Sequence, residues 1–188
     1  MIGTCCLCQS EKQLIRKSHI IPDFMYRDLY DSKHRIFFLN IDASKHKLVR
    51  KSFRFTGEYQ SDILCKNCDN FILGGLEDYG CKFLYGENLS NSEQLVMKNL
   101  KPSLGLIHTE IANVSYTKLK LFLLSLMWRC SISDRDGFKK INLELHEGAI
   151  RKMISDSNAG TWDQFPVFIM TYLNDKQLPR DLIAHPQK

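Results

Sequence analysis

Hydrophobic positions change their period several times along this chain, and each change marks an element. Gln9 to Lys17 predicts a short hairpin, and Leu14 to Ile21, rich in β-branched residues, predicts a strand that carries His19. Pro22 then opens a helix, since its missing N–H costs nothing at the first helical position, and Phe24, Met25, Asp28 and Leu29 follow at helical spacing. Arg35 to Ile41 and Lys47 to Phe55 predict two strands joined by the polar turn Asp42 to His46. Thr56 to Tyr59 is a turn. From Cys68 the pattern becomes helical to about Leu84, with Phe71, Ile72, Leu76, Tyr79, Phe83 and Leu84 on the buried side, although Gly74-Gly75 weakens the helix.

The C-terminal half begins with one or two strands over Ser103 to Ser115, with His108 and Glu110 on one face if the strand is regular. Thr117 to Ser131 is the plainest helix, its apolar face formed by Leu119, Phe122, Leu123, Leu126, Met127 and Cys130. Trp128 and Arg129 read as packing and a C-terminal cation. Leu143 to Ser155 predicts another helix and Phe165 to Leu173 a strand, and no stop signal closes Ile183 to Lys188, which leaves open an incomplete C-terminal half. The class is α+β: residues 1–88 form an N-terminal module with a hairpin insert, packed with an α+β accessory half over 89–188.

Candidate chemistry changes that picture at the N-terminal end. Cys5 and Cys8 form one Cys-x-x-Cys pair and Cys65 and Cys68 a second, spaced so that four thiolates can surround one tetrahedral zinc ion. A knuckle, a hairpin and a helix whose first turn carries the second ligand pair make a zinc treble clef, a closed structural site. The competing reading is buried free cysteines. Seven cysteines, an odd number, leave Cys6, Cys81 and Cys130 as spare thiols, with Cys6 expected to point away from the metal. Met1 to Thr4 is no secretory leader and the run Leu119 to Trp128 is too short to span a bilayer, so a cytoplasmic protein without a membrane is expected.

Charge is uneven. Residues 1–60 hold 11 Lys/Arg against 6 Asp/Glu, and 61–100 hold 3 against 6. A basic first third suits a phosphate-binding surface, and Lys47, Arg50, Lys51 and Arg54 are its candidate contacts. Phe53 and Phe55 interleave with them. Such rings can stack on bases, but the plainer expectation for them is core.

Taken in order, Cys5-x-x-Cys8, Ser18-His19-Ile20-Ile21-Pro22 and Leu64-Cys65-Lys66-Asn67-Cys68-Asp69 resemble the zinc-stabilised HNH, or His-Me finger, endonucleases, over residues 5 to about 85. That resemblance implies a ββα-metal-like site in which His19 is the general base and Asp69 binds a catalytic Mg²⁺ or Mn²⁺ ion. Ser18 stands where the family carries an acidic residue. Glu77, further along the same helix, is a secondary candidate, with a solvent-facing glutamate the plainer reading. Gly57-x-Tyr59 and Trp128-Arg129 are similar to features of bacterial and phage HNH-like proteins and imply a role in phage–host conflict. The expected activity is hydrolysis of nucleic-acid phosphodiesters, DNA favoured. The alternative is a non-catalytic zinc-stabilised module that binds nucleic acid or a partner protein. His19 discriminates between them, because catalysis requires it to face a cleft with Asp69.

Overall fold

The computed structural model describes residues 1–42, 47–86, 94–100 and 108–169. It is an α+β structure of small antiparallel ribbons and three α-helices among the described residues. β1 (Ile2–Thr4) and β2 (Glu11–Gln13) pair antiparallel, Thr4 opposite Glu11, and so close the chain around Cys5 to Cys8. Gln9 turns that corner with φ 57°, its amide donating to Cys5 O at 2.9 Å.

The strand expected over Leu14 to Ile21 is shorter. Only Ser18–His19 (β3) is strand, paired with Tyr59–Gln60 (β6). The preceding residues spend their backbone groups on the second knuckle instead: Leu14 bridges Cys65, and Ile15 N donates to Leu64 O at 2.9 Å. Pro22 caps the next helix from outside rather than filling its first position, and Asp23–Leu29 winds as a 3₁₀-helix that ends where Tyr30 becomes extended. β4 (Ile36–Asp42) and β5 (Lys47–Arg54) form the expected hairpin, with a register shift after Asn40.

The helix after the second knuckle begins with a π-helical stretch, Cys68–Leu73, and continues as α1 (Gly74–Tyr85), closed by Gly86 in the left-handed region at φ 68°. Wider turns delay the side chains around the axis, so the buried face differs from the sequence pattern. Leu73 and Gly80 are buried, while Phe71 and Leu84 are exposed. β7 (Val96–Leu100) pairs with β8 (His108–Ala112), which places one strand within the expected Ser103 to Ser115 stretch. Residues 101–107 lie outside the described residues.

α2 (Tyr116–Ser131) is the central helix, capped by the Ser115 hydroxyl. It packs on α1 and on α3 (Glu147–Ser155), the latter preceded by a 3₁₀ turn at Glu144–His146. Flanked on several sides, α2 buries more than one stripe: Leu121, Phe122, Leu124 and Trp128, and also Lys120, Ser125 and Arg129, while Met127 is exposed. The approach to α1 is close because Gly80 has no side chain; a Cβ there would lie 2.6 Å from the Phe122 ring. Gly57 likewise makes room for the buried Tyr26 ring. Phe165 to Ile169 is not strand, and Phe168 is exposed; the rest of that expected strand falls outside the described residues.

Among the described residues, two apolar clusters form the core. One gathers Cys5, Leu7, Leu14, Leu64, Cys65, Cys68 and Leu73 with Leu121, Leu124, Trp128, Ile150 and Ile154. It therefore takes residues from both sides of position 88. The other holds Ile20, Ile21, Tyr26 and Ile36 against Cys130, Phe138 and Ile141. Among the described residues no helix is long and apolar enough to cross a membrane.

Candidate metal centre and the polar cluster beside it

The β1–β2 turn presents Cys5 and Cys8, the bridge to Leu14 presents Cys65, and Cys68 opens the π-helical stretch. Their four sulfurs all lie within 4.8 Å of one another. Tetrahedral zinc with Zn–S bonds of about 2.3 Å requires S–S separations of about 3.8 Å, so small movements of these side chains would complete the site. Cys5 and Cys68 are fully buried, Cys65 nearly so, and Cys8 is half-buried. These four residues could hold a metal ion such as zinc. Cys6 is not part of the group. The knuckles are also joined through the backbone, Cys6 N donating to Ile63 O at 2.8 Å and Cys65 N to Cys5 Sγ at 3.4 Å. From the other side, Arg151 Nη1 donates to Leu7 O at 3.0 Å.

This junction sets β3 against the first turn of the Cys68 helix. Ser18 is fully buried, and its hydroxyl donates to Asp69 Oδ1 at 2.5 Å. Successive residues of a strand project to opposite sides. Ser18 and its cross-strand partner Gln60 thus face inward, where Ser133 and the Asp134 amide bond the Gln60 carbonyl. His19 and Tyr59 take the other side.

The His19 side chain is 27% exposed, its Nε2 3.0 Å from Thr56 Oγ1 and 3.7 Å from Asp23 Oδ1. Burial lowers its pKa below the usual histidine value and Lys17 and Arg129 add to the effect, while Asp23 and Asp69 oppose it. The ring is neutral at pH 7. Its nearest carboxylate contact is Asp23, whereas Asp69 is bonded to Ser18.

Sequence reasoning missed the group beneath this strand. Arg129, 1% exposed, donates from Nη1 to His19 O at 3.0 Å and to the Glu77 carboxylate, and from Nε to Ser125 O. It is the basic residue in the last turn of α2, as expected, but it is buried rather than open to water. Glu77 is held by this pair rather than facing water, and burial raises its pKa, with Arg129 opposing. The signal was present in the sequence: Ser125 and Arg129 stand four apart on a helix whose neighbours are apolar.

Of the proposed phosphate contacts, Arg54 is exposed but pairs with Glu58 and lies over the Phe38 ring at 4.5 Å. Lys47, Arg50 and Lys51 belong to β5, and their side chains lie outside the description. The expectation that Phe53 and Phe55 are core is overturned: they are 56% and 68% exposed. The hairpin turns its other face inward, where Ile36 and Phe38 meet the second cluster.

Comparison with protein-family models, curated proteins and solved structures finds no match to this chain.

Proposed function

We propose that this protein is a metal-dependent endonuclease of the HNH kind, built on a zinc treble clef and hydrolysing nucleic-acid phosphodiesters. The observation that carries the reading is the Ser18–Asp69 hydrogen bond, because it joins the strand bearing His19 to the helix start that follows the second cysteine pair. Neutral His19 takes a proton from the attacking water, and Asp23 then stabilises the imidazolium that results. Asp69, oriented by the buried Ser18 hydroxyl, supplies a carboxylate oxygen donor, a chemistry that would suit Mg²⁺ or Mn²⁺. Such an ion, when bound, offsets charge developing on the phosphate. Arg129 keeps the His19 backbone in place through its carbonyl.

A second reading, a zinc-stabilised binding module that does not cut, draws on a specific observation. His19, Asp69 and Glu77 each already bond a protein group, respectively Thr56, Ser18 and Arg129. Incubation of the purified protein with plasmid and with RNA, with Mg²⁺, with Mn²⁺ and with neither, separates the two. The nuclease reading expects cleavage that His19→Ala reduces about 10²- to 10⁴-fold at unchanged zinc content. Absence of cleavage under all conditions, with nucleic-acid binding retained, selects the module.

A further inference from the structure

We infer that the outer face of the β4–β5 hairpin is a stacking platform for unpaired bases, so that the nucleic acid this protein engages is single-stranded at the point of contact. The inference rests on the nucleic-acid part of the proposed function and adds to it the form of the ligand. Phe37 and Phe53 are cross-strand partners with ring centroids 5.1 Å apart, and they are 48% and 56% exposed. Arg35 lies over the Phe53 ring at 4.7 Å, and Phe55, just beyond β5, is 68% exposed. The opposite face, with Ile36 buried, already supplies the core contact of this hairpin. Three large rings therefore stand in water on a ribbon whose packing does not call for them there.

Charge selects the occupant. Positions 31–58 contain seven Lys/Arg against three acids, so even with Arg35 paired to Asp31 and Arg54 to Glu58 the sequence of the hairpin keeps a cationic excess, and Lys51 stands two positions before Phe53 on the strand. An apolar protein partner needs no such excess of cations, whereas a polyanion with flat faces needs both features. Duplex DNA buries its base faces in its own stack, so rings exposed in this way meet unpaired bases without the unstacking cost that insertion into a duplex carries.

The test uses the whole 188-residue chain, zinc-loaded and without added Mg²⁺ or Mn²⁺, so that cleavage does not intervene. Fluorescence anisotropy compares a labelled oligothymidylate with an abasic phosphodiester strand of equal length. Wild type should prefer the oligothymidylate by about 5- to 150-fold for each stacked base. Phe37→Leu/Phe53→Leu, which keeps apolar bulk on the ribbon, should abolish the preference and leave binding of the abasic strand unchanged. Phe53→Tyr, which keeps the ring, should retain it. Equal affinity of wild type for both strands overturns the platform, as does a preference that survives in the double Leu variant. Binding of neither strand also overturns it, and points to a protein partner for this face. Cleavage without base preference defeats the platform alone; base preference without cleavage defeats only the nuclease.

Discussion

Replacing Arg129 by Met should destabilise the fold far more than an arginine near a helix end usually does. Methionine keeps much of the volume but removes every donor from a site that is 1% exposed. His19 O would lose its guanidinium donor, and an orphaned buried carbonyl costs about 1–3 kcal/mol. Glu77 would lose its ion-pair partner, and breaking a buried pair by removing one member costs about 3–5 kcal/mol. Glu77 keeps 26% side-chain exposure and can take up a proton, so the lower part of that range is expected for the whole change. At about 2–4 °C per kcal/mol for a chain of this size, Tm should fall by roughly 6–16 °C at pH 7, read by circular dichroism. Arg129→Met/Glu77→Gln should recover part of the loss, since no unpaired charge then remains inside. A single variant that melts within about 3 °C of wild type would refute the reasoning and mean that water already serves these groups.

Three other perturbations follow from the same geometry. Cys65→Ser should lower bound zinc, measured with a chromophoric chelator, and reduce stability by several kcal/mol, because binding energy at a structural zinc site is folding energy; full zinc content and unchanged melting would remove the metal hub. Gly80→Ala should cost about 1–3 kcal/mol in urea unfolding, as its Cβ meets the Phe122 ring, and Phe122→Leu in the same chain should relieve part of that. Folding lowers the proton affinity of His19, so below its ordinary value of 6.5 the unfolded chain binds more protons; the stability this contributes is complete above pH 6.5 and is lost as pH falls through the lower folded value. In urea melts wild type should therefore lose stability relative to His19→Gln between pH 7 and pH 5, and a stability difference that stays constant with pH would contradict the assignment.

Features set by local spacing were legible in the sequence. Two Cys-x-x-Cys pairs forecast four sulfurs that the fold brings within 4.8 Å of one another, and the hairpin and central helix lie within a residue or two of their expected bounds. What failed depended on tertiary context. Phe53 and Phe55 looked like core because the alternation that marks a strand does not say which face is covered. Leu14 to Ile21 looked like continuous strand because β-branched content cannot show that Leu14 and Ile15 pair with the second knuckle. The π-helical stretch after Cys68 moved the buried face by a displacement that no 3.6-residue period could report. Arg129 is the C-terminal cation expected of the helix, but its burial was not legible, since its partners Glu77 and His19 O are 52 and 110 residues away in sequence.

Those long-range contacts converge on two residues. β3 is tied to the Cys68 helix through Ser18–Asp69, to β6 through its strand pairing, and to α2 through Arg129 and His19 O. Ile20 N adds a bond to Glu58 O at 2.9 Å immediately after it. Displacing the His19 backbone therefore requires breaking contacts with three separate elements, two of them anchored at the cysteine cluster or the central helix. The imidazole itself keeps 27% of its surface in water, with its Nε2 near the tips of Thr56 and Asp23. Under the proposed nuclease reading, a backbone held from three sides with a partly open ring would keep a proton-transfer group aimed while leaving it reachable.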